Sequence, residues 1–331
     1  MSWRGGSDAP SVWSEEGMEF HAGTVEDVRF VVAHMPVEVK NGFVYGAVPW
    51  SNFSHAYGPG SDVPDLLEQA RTGDERSSNE ALSKLSGRLL QQGTSSAAGA
   101  LAIPFLVRIV VALPFHRAGI LRVIAGLVRR QYFGDGSRTG LLRAARADDQ
   151  IVFEPSGYLA NWSVQAAREA LAADAGLLLP LLGDPDPEVR QASAYALAAV
   201  PNRPASVADC LSARFQDEED PAVRACLVLA IGQLAWEERH PDTIDQMCAW
   251  WQDCNQPAEV RVCAALTWLC LTDGPVPDNL RAFLELSVTD DLAALLESIP
   301  WLDHIVDGGL RRCLDQMFYP EKYPHFTSCL D

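Results

Sequence analysis

Apolar residues recur in the C-terminal half of the chain at offsets +3, +4, +7, +8 and +11 from three valines, Val189, Val223 and Val260. These offsets trace one face of an α-helix. They read Ala192, Ser193, Ala196, Leu197 and Val200 in the first copy, and Cys226, Leu227, Ala230, Ile231 and Leu234 in the second. The third gives Cys263, Ala264, Thr267, Trp268 and Leu271. Each of the first two stripes opens on a start signal. Asp186 and Asp220 stand where a carboxylate accepts from the free N–H groups of a first helical turn, and Pro187 and Pro221 follow where a missing N–H costs nothing. Apolar partner segments precede the copies over residues 177–182, 207–215 and 244–251. The valines lie 34 and 37 residues apart, so one repeat is a helix pair, and such pairs stack by burying apolar faces on one another.

Upstream the pattern is helical from about residue 61. Ser61 or Asp62 opens a helix through Leu66, Leu67 and Ala70, and Asp74 opens another through Leu82, Leu85 and Leu89. A stripe of Leu101, Phe105, Leu106, Ile109, Val110 and Leu113 predicts a further helix with Pro104 near its start. Ile120, Ile124, Leu127 and Val128 form the next stripe. Before these, β-formers alternate around Asn41-Gly42, which predicts a β-hairpin near 37–46. Residues 132–160 break the rhythm with Gly134, Gly136 and Gly140 in a loop, a short helix over 141–147, and Pro155 and Gly157 at the close. The expected organisation is an N-terminal extension over 1–48, helical repeats over 49–131, an irregular insertion over 132–160, and repeats with C-terminal helices over 161–331.

Composition adds three constraints. With 48% apolar residues the 331-residue chain has material for a large core. The longest apolar run, 101–113, is interrupted by Pro104 and Arg108 and is too short to span a bilayer, and the first residues carry no apolar signal segment. Eight cysteines form no CxxC pair, so the expectation is a cytoplasmic protein with free thiols. Charge is uneven. Residues 1–165 hold 15 Lys and Arg against 17 Asp and Glu, whereas 166–331 hold 11 against 27. Within the first half, 102–147 carries eight arginines against Asp135 alone. Such asymmetry selects partners rather than folds.

Asp186-Pro187-x-Val189-Arg190, followed by Ala192, Ala196 and Leu197, resembles the HEAT repeat, and in particular the short HEAT-like units of phycobilisome-lyase relatives. Trp50, His55-Ala56-Tyr57-Gly58, Asp62-Val63-Pro64-Asp65-Leu66-Leu67, Gln92-Gly93-Thr94 and Ile103-Pro104-Phe105-Leu106 are similar to a group of bacterial, largely actinobacterial, HEAT-repeat proteins. The resemblance implies an all-α armadillo/HEAT-type solenoid with a small N-terminal cap containing the hairpin. It also implies a protein-binding role, with DNA glycosylases and lyases among the relatives.

Two groups of residues are candidates for contact with other molecules. Trp250 and Trp251 are helix neighbours about 100° apart, so one of them faces away from the core. With Trp236 and the acidic run Asp217, Glu218 and Glu219, they form a candidate surface for a protein or peptide, in particular a basic one. Arg122, Arg129, Arg130, Arg138, Arg143 and Arg146, beside the glycine loop, are candidate anion-binding groups. Arg190, Arg224 and Arg261 recur after each core valine and are expected to tie repeats together through loop acids such as Asp184, Asp186 and Asp220. Cys226, Cys263 and Trp268 fall on the core face. No motif points to catalysis, a metal or a cofactor, and His304 between Asp303 and Asp307 reads as helix surface. A non-enzymatic scaffold whose groove holds a partner leads. A nucleic-acid-binding or DNA-repair protein, and a small-molecule enzyme or lyase-like chaperone with 132–160 as its lid, are the alternatives.

Overall fold

The computed structural model describes residues 11–13, 19–91, 94–129, 136–144, 151–201, 205–238, 241–303, 305 and 308–323. Among them stand sixteen α-helices and three two-stranded antiparallel ribbons. The chain divides into two units. The first takes the described residues of Met1–Gln131, Ala144–Asp184 and Ala199–Pro201, and the second those of Tyr132–Arg143, Pro185–Ala198 and Asn202–Asp331.

Unit 1 contains α1 (Val28–Ala33), α2 (Val37–Asn41), α3 (Val63–Thr72), α4 (Glu75–Leu89), α5 (Ala97–Ala112), α6 (Arg117–Leu127) and α7 (Ala160–Asp174). Its axis is α5, buried from Ala97 through Val107 and packed against α1, α2, α3, α6 and α7. Ser96 caps it, accepting from Gly99 N–H at 3.2 Å and donating to the Leu89 carbonyl at 3.1 Å. This cap starts the helix at Ala97, so Pro104 sits inside it rather than near its start. Two buried carboxylates bind the unit together. Asp174 accepts from both Nη atoms of Arg108 at 2.8 and 3.1 Å and lies 3.5 Å from Lys40 Nζ. Asp184 accepts from Arg117 Nη1 at 2.8 Å.

An N-terminal hairpin is present, but it pairs Ser11–Trp13 with Glu19–His21. Residues 37–46 do not form the expected one. The turn-forming Asn41-Gly42 pair ends a helix instead. Gly42 N–H bonds the Glu38 carbonyl at 2.9 Å, Phe43 takes the left-handed conformation at φ 52°, and Asn41 Oδ1 accepts from Arg108 Nε at 2.7 Å. Phe43 and Tyr45 then pack on Phe105, with ring centroids 6.3 and 5.0 Å away.

Unit 2 contains α8 (Pro187–Leu197), α9 (Ala205–Asp217), α10 (Pro221–Glu238), α11 (Pro241–Gln252), α12 (Ala258–Leu271), α13 (Asp278–Ser287), α14 (Asp290–Leu296), α15 (Pro300–Asp303) and α16 (Gly309–Phe318). Helices α8, α10 and α12 pack side by side as an inner row, and α9, α11 and α13 form an outer row against α10 and α12. The caps act as their chemistry requires. Asp186 accepts from Glu188 N–H at 2.9 Å, and Asp220 from Ala222 and Val223 N–H at 2.9 and 3.0 Å. The core register holds through the third copy, with Val260, Cys263, Ala264 and Thr267 all buried. Trp268 departs from it and is half-buried. Residues 177–182 form 3-10 turns, Ala175–Leu177 and Leu179–Gly183, because Pro180 interrupts the α-helical hydrogen bonds.

The inner row is covered on its other side by the chain itself. Trp301 of α15 packs edge-on against Tyr195 at 4.6 Å and donates from Nε1 to Gln233 Oε1 at 2.7 Å, while α14 packs on α12. α10 is consequently buried at Val223 and from Ala225 to Ala235. Its approach to α12 needs a glycine, since a Cβ on Gly232 would lie 2.1 Å from Thr267 Cγ2. Gly232→Ala is expected to destabilise the protein by about 2–3 kcal/mol, as overpacking does. Adding Thr267→Ala, which removes the opposing methyl, should recover part of that loss. Urea unfolding of the single and double variants, followed by tryptophan fluorescence, measures both effects.

Candidate functional site

The recurring arginines tie repeats together, as their spacing suggests, through partners other than the expected aspartates. Arg190 of α8 donates to both oxygens of Glu218, from Nε at 2.8 Å and Nη2 at 3.1 Å. Arg214 of α9 reaches the same carboxylate from Nε at 3.0 Å and Nη2 at 2.6 Å. Glu218 also accepts from Asp220 N–H at 3.0 Å, and its side chain is only 2% exposed. It is therefore an interior clasp and not part of the solvated acidic run. Burial works against its ionisation, yet the bonds from Arg214, Asp220 N–H and Arg190 together hold the carboxyl below the ordinary range. Arg224 takes a weaker pair of partners, Gln256 Oε1 at 3.0 Å and the face of Phe215 at 4.8 Å. Arg261 donates to the Trp251 carbonyl at 3.1 Å and stacks on Phe283 at 4.4 Å.

These contacts sort the charges. Among residues 190–281, every described arginine is half-buried and engaged inside the unit. Asp209, Asp217, Glu219, Asp245, Asp278 and Glu285, on the outer row and its turns, are exposed and carry no ion pair among the described residues. Of the tryptophan pair, Trp251 is buried and packs on Phe283, so it is core and not a partner contact. Trp250 is half-exposed and stacks on Phe215 with centroids 4.1 Å apart. Trp236 is also half-buried.

The basic stretch is not a free cationic patch. Arg108 and Arg117 are spent on Asp174 and Asp184. Arg129 is buried, Arg143 half-buried and Arg122 exposed, while Arg130 and Arg146 lie outside the described residues. Arg138 is half-buried, and its Nη1 donates to the Gly274 carbonyl at 2.7 Å. The glycine loop does not offer its amides to an anion. Gly136 N–H is taken by Gln316 Oε1 at 2.9 Å, and Gly140 N–H bonds Ser137 Oγ and the Ser137 carbonyl. A Cβ on Gly136 would meet the α16 backbone at Cys313 Cα, 3.0 Å away, which is why the loop needs glycine there. Residues 141–144 are turn and irregular chain instead of the expected helix, the rest of which lies outside the described residues, as do His304 and Asp307.

A second constellation, which the sequence pattern does not assemble, lies in unit 1. A shallow cleft, partly open to solvent and with internal room for about one water molecule, is lined by His55, Arg88, Ser95, Ser96, Glu154 and Ser156 with Ala56, Leu89 and Pro155. His55 Nε2 bonds Asp62 Oδ1 at 2.8 Å, and Arg88 Nε donates to Asp62 Oδ2 at 2.7 Å. Asp62 thus clamps these two side chains and makes no side-chain cap for α3. Glu154 is buried and accepts from the hydroxyls of Ser163 and of Ser156, the latter at 3.3 Å. Burial pushes its pKa up to about 8 against these bonds and one from Ala97 N–H. The available signal was a lone acid in the apolar run Ile151-Val152-Phe153-Glu154-Pro155.

Residues 175–267 match the family model of HEAT repeats. That segment carries HEAT repeats. Among solved structures, a designed armadillo repeat protein in complex with a (KR)4 peptide is similar at 16% identity and TM-score 0.41, over 74% of this chain and 100% of that one. A comparison with curated proteins gives no match. Among the described residues no helix is long and apolar enough to cross a membrane.

The clasp in the HEAT unit makes a pH-dependent prediction. Glu218→Gln removes the charge that both Arg190 and Arg214 face, and is expected to cost about 3 kcal/mol at neutral pH. Because the folded carboxyl titrates below its ordinary value, its contribution is whole above about pH 5 and is lost as pH falls through the folded pKa. The stability gap between wild type and Glu218→Gln should therefore narrow in acid, as urea titrations at neutral pH and near pH 3.5 will measure.

Proposed function

We propose that the protein is a non-enzymatic HEAT-repeat scaffold that engages a basic protein or peptide through the exposed acidic layer of its outer helices. The observation that carries this reading is the sorting of charge in unit 2, with arginines turned inward and unpaired carboxylates outward. An excess of surface carboxylates steers a cationic partner and repels nucleic acid. The inner face of the repeats, where the sequence pattern suggests a groove, is occupied by α15 and α14, so the outer row is the surface left for a partner. Trp250, half-exposed on Phe215, supplies an aromatic anchor beside the acidic layer. The nucleic-acid alternative loses its main support because the basic stretch spends Arg108 and Arg117 on internal carboxylates.

The test is fluorescence anisotropy of the full chain with a labelled Lys/Arg-rich peptide as probe, against an uncharged peptide and a DNA duplex. Binding of the basic probe should weaken steeply with salt. It should also fall about tenfold when Asp217, Glu219 and Asp245 are changed together to Lys. Trp250→Ala should weaken it further at fixed charge, which screening alone does not predict. No binding at low salt, indifference to the charge reversal, or preference for the duplex would overturn the reading.

A further inference from the structure

We propose that Asn41-Gly42 is a site of covalent modification, a deamidation that the fold holds back and that proceeds when α2 opens. The inference is independent of the acidic layer, since every residue it uses belongs to unit 1.

In an Asn-Gly pair no Cβ on the second residue hinders attack of its nitrogen on the asparagine side chain. The Gly42 amide loses its proton to base, and its nitrogen bonds Asn41 Cγ. The Cγ–Nδ2 bond breaks, and Nδ2 takes a proton from water and leaves as ammonia. Water then opens the succinimide so formed. Opening at Cγ gives aspartate, and opening at the main-chain carbonyl gives isoaspartate. Nothing is oxidised or reduced.

Three features close this route in the folded chain. Ring closure requires rotation about the Asn41 Cα–C bond out of the helical range, and Asn41 is the last residue of α2. The attacking nitrogen is engaged, since Gly42 N–H donates to the Glu38 carbonyl at 2.9 Å. The side chain under attack is held as well. Asn41 Oδ1 accepts from Arg108 Nε at 2.7 Å, and Arg108 is fixed in turn by both oxygens of Asp174.

The closed state is weakly built. α2 has five residues, none of them buried, and no side chain caps its start at Pro36. A helix so short has little stability of its own. Its end is also strained. Phe43 N–H bonds the Lys40 carbonyl at 3.4 Å and Val44 N–H the Val39 carbonyl at 3.0 Å, a helix ending that favours glycine in the left-handed position. The glycine stands one place early, at Gly42, so Phe43 takes φ 52°. What keeps α2 in place is Arg108 on Asn41, Lys40 Nζ 3.5 Å from Asp174, and the rings of Phe43 and Tyr45 on Phe105. Segments with few buried contacts open locally well before the whole fold does. Asn41 and Gly42 are both exposed, so base and water reach the opened pair directly.

The two products act differently. Arg108, Lys40 and Asp174 together carry one surplus positive charge, which aspartate at position 41 neutralises while keeping an acceptor on Arg108 Nε. Isoaspartate adds a carbon to the main chain before Gly42, which carries its N–H out of register with the Glu38 carbonyl. α2 then stays open, and Phe43 and Tyr45 leave Phe105. The site thus turns transient opening of α2 into a permanent change in unit 1.

The test incubates the full chain in mildly alkaline buffer beside a synthetic peptide of residues 34–46. Conversion at Asn41 is read by mass spectrometry of proteolytic fragments with the two products resolved, and exchange of the Gly42 amide proton by NMR. The folded chain should convert about 10–100-fold more slowly than the peptide, and Gly42 exchange should be protected by the same factor within about threefold, because one opening controls both. Glu38→Gly, exposed on α2, should raise both rates about threefold with melting nearly unchanged. Arg108→Lys keeps a cation beside Asp174 but loses the Nε contact, and should raise both rates about fivefold while the amides of α5 stay protected. Gly42 should remain protected in Asn41→Asp and lose its protection in the isoaspartate product. The proposal is overturned if the folded chain converts as fast as the peptide, if it converts only in urea, if either of the two loosening variants leaves conversion unchanged, or if Gly42 stays protected in the isoaspartate form.

Discussion

A carboxylate cannot be buried in a helical stack unless cations go in with it, and Glu218 shows what that constraint builds. Its two oxygens receive Arg190 from one repeat and Arg214 from the next, so the clasp sets how the second helix pair sits on the first. Unit 1 solves the same problem with Asp174 between Arg108 and Lys40, and with Asp184 on Arg117. Asp184 and Glu218 each stand three residues before the proline that starts a repeat helix, at Pro187 and Pro221. The chain has only 26 Lys and Arg against 44 Asp and Glu, so arginines consumed inside leave carboxylates outside. The acidic outer layer is thus a consequence of how the interior is neutralised.

Local signals were the legible part of the fold. Offsets from Val189, Val223 and Val260, with caps at Asp186 and Asp220, define inner helices whose burial holds down to Cys226 and Cys263, because both periodicity and capping act within a turn or two. Signals with two uses were ambiguous. Asn41-Gly42 serves a hairpin or a helix end, and Arg108 reaching Asn41 from 67 residues away decided for the helix end. Asp62 has the chemistry of a cap, but His55 and Arg88 claim its oxygens. The 100° rule required one exposed residue of the pair Trp250 and Trp251 without saying which. The Glu218 clasp and the cleft around Glu154 join residues far apart in the chain, and no local pattern announces such pairings.

One long-range feature did leave a trace. From Ala225 to Ala235 the only polar side chain of α10 is Gln233, and a helix that is apolar all round is one covered on every side. The cover is supplied by α15, whose Trp301 satisfies Gln233 and packs on Tyr195. A bare repeat array of this kind would leave its inner row open for a ligand, whereas here that row serves as core. In the scaffold proposed above, recognition would use the outer helices, where contacts are charged and solvated. Such surfaces favour fast, salt-sensitive association over a deeply buried interface.

The third repeat departs from the clasp, and the departure coincides with the exposed aromatic. Cys254 stands three residues before Pro257, where the earlier repeats have Asp184 and Glu218. Arg224 therefore finds no carboxylate. It settles for the Gln256 amide and the Phe215 ring, and its Nε is buried without a hydrogen-bond partner. A neutral amide and a ring face hold a guanidinium less firmly than two carboxylate oxygens do. Trp250 stacks on that same Phe215 ring, so the half-exposed aromatic and Arg224 share one platform. Cys254, at the place the earlier repeats give to a carboxylate, thus leaves Arg224 resting on the ring that Trp250 also stacks on.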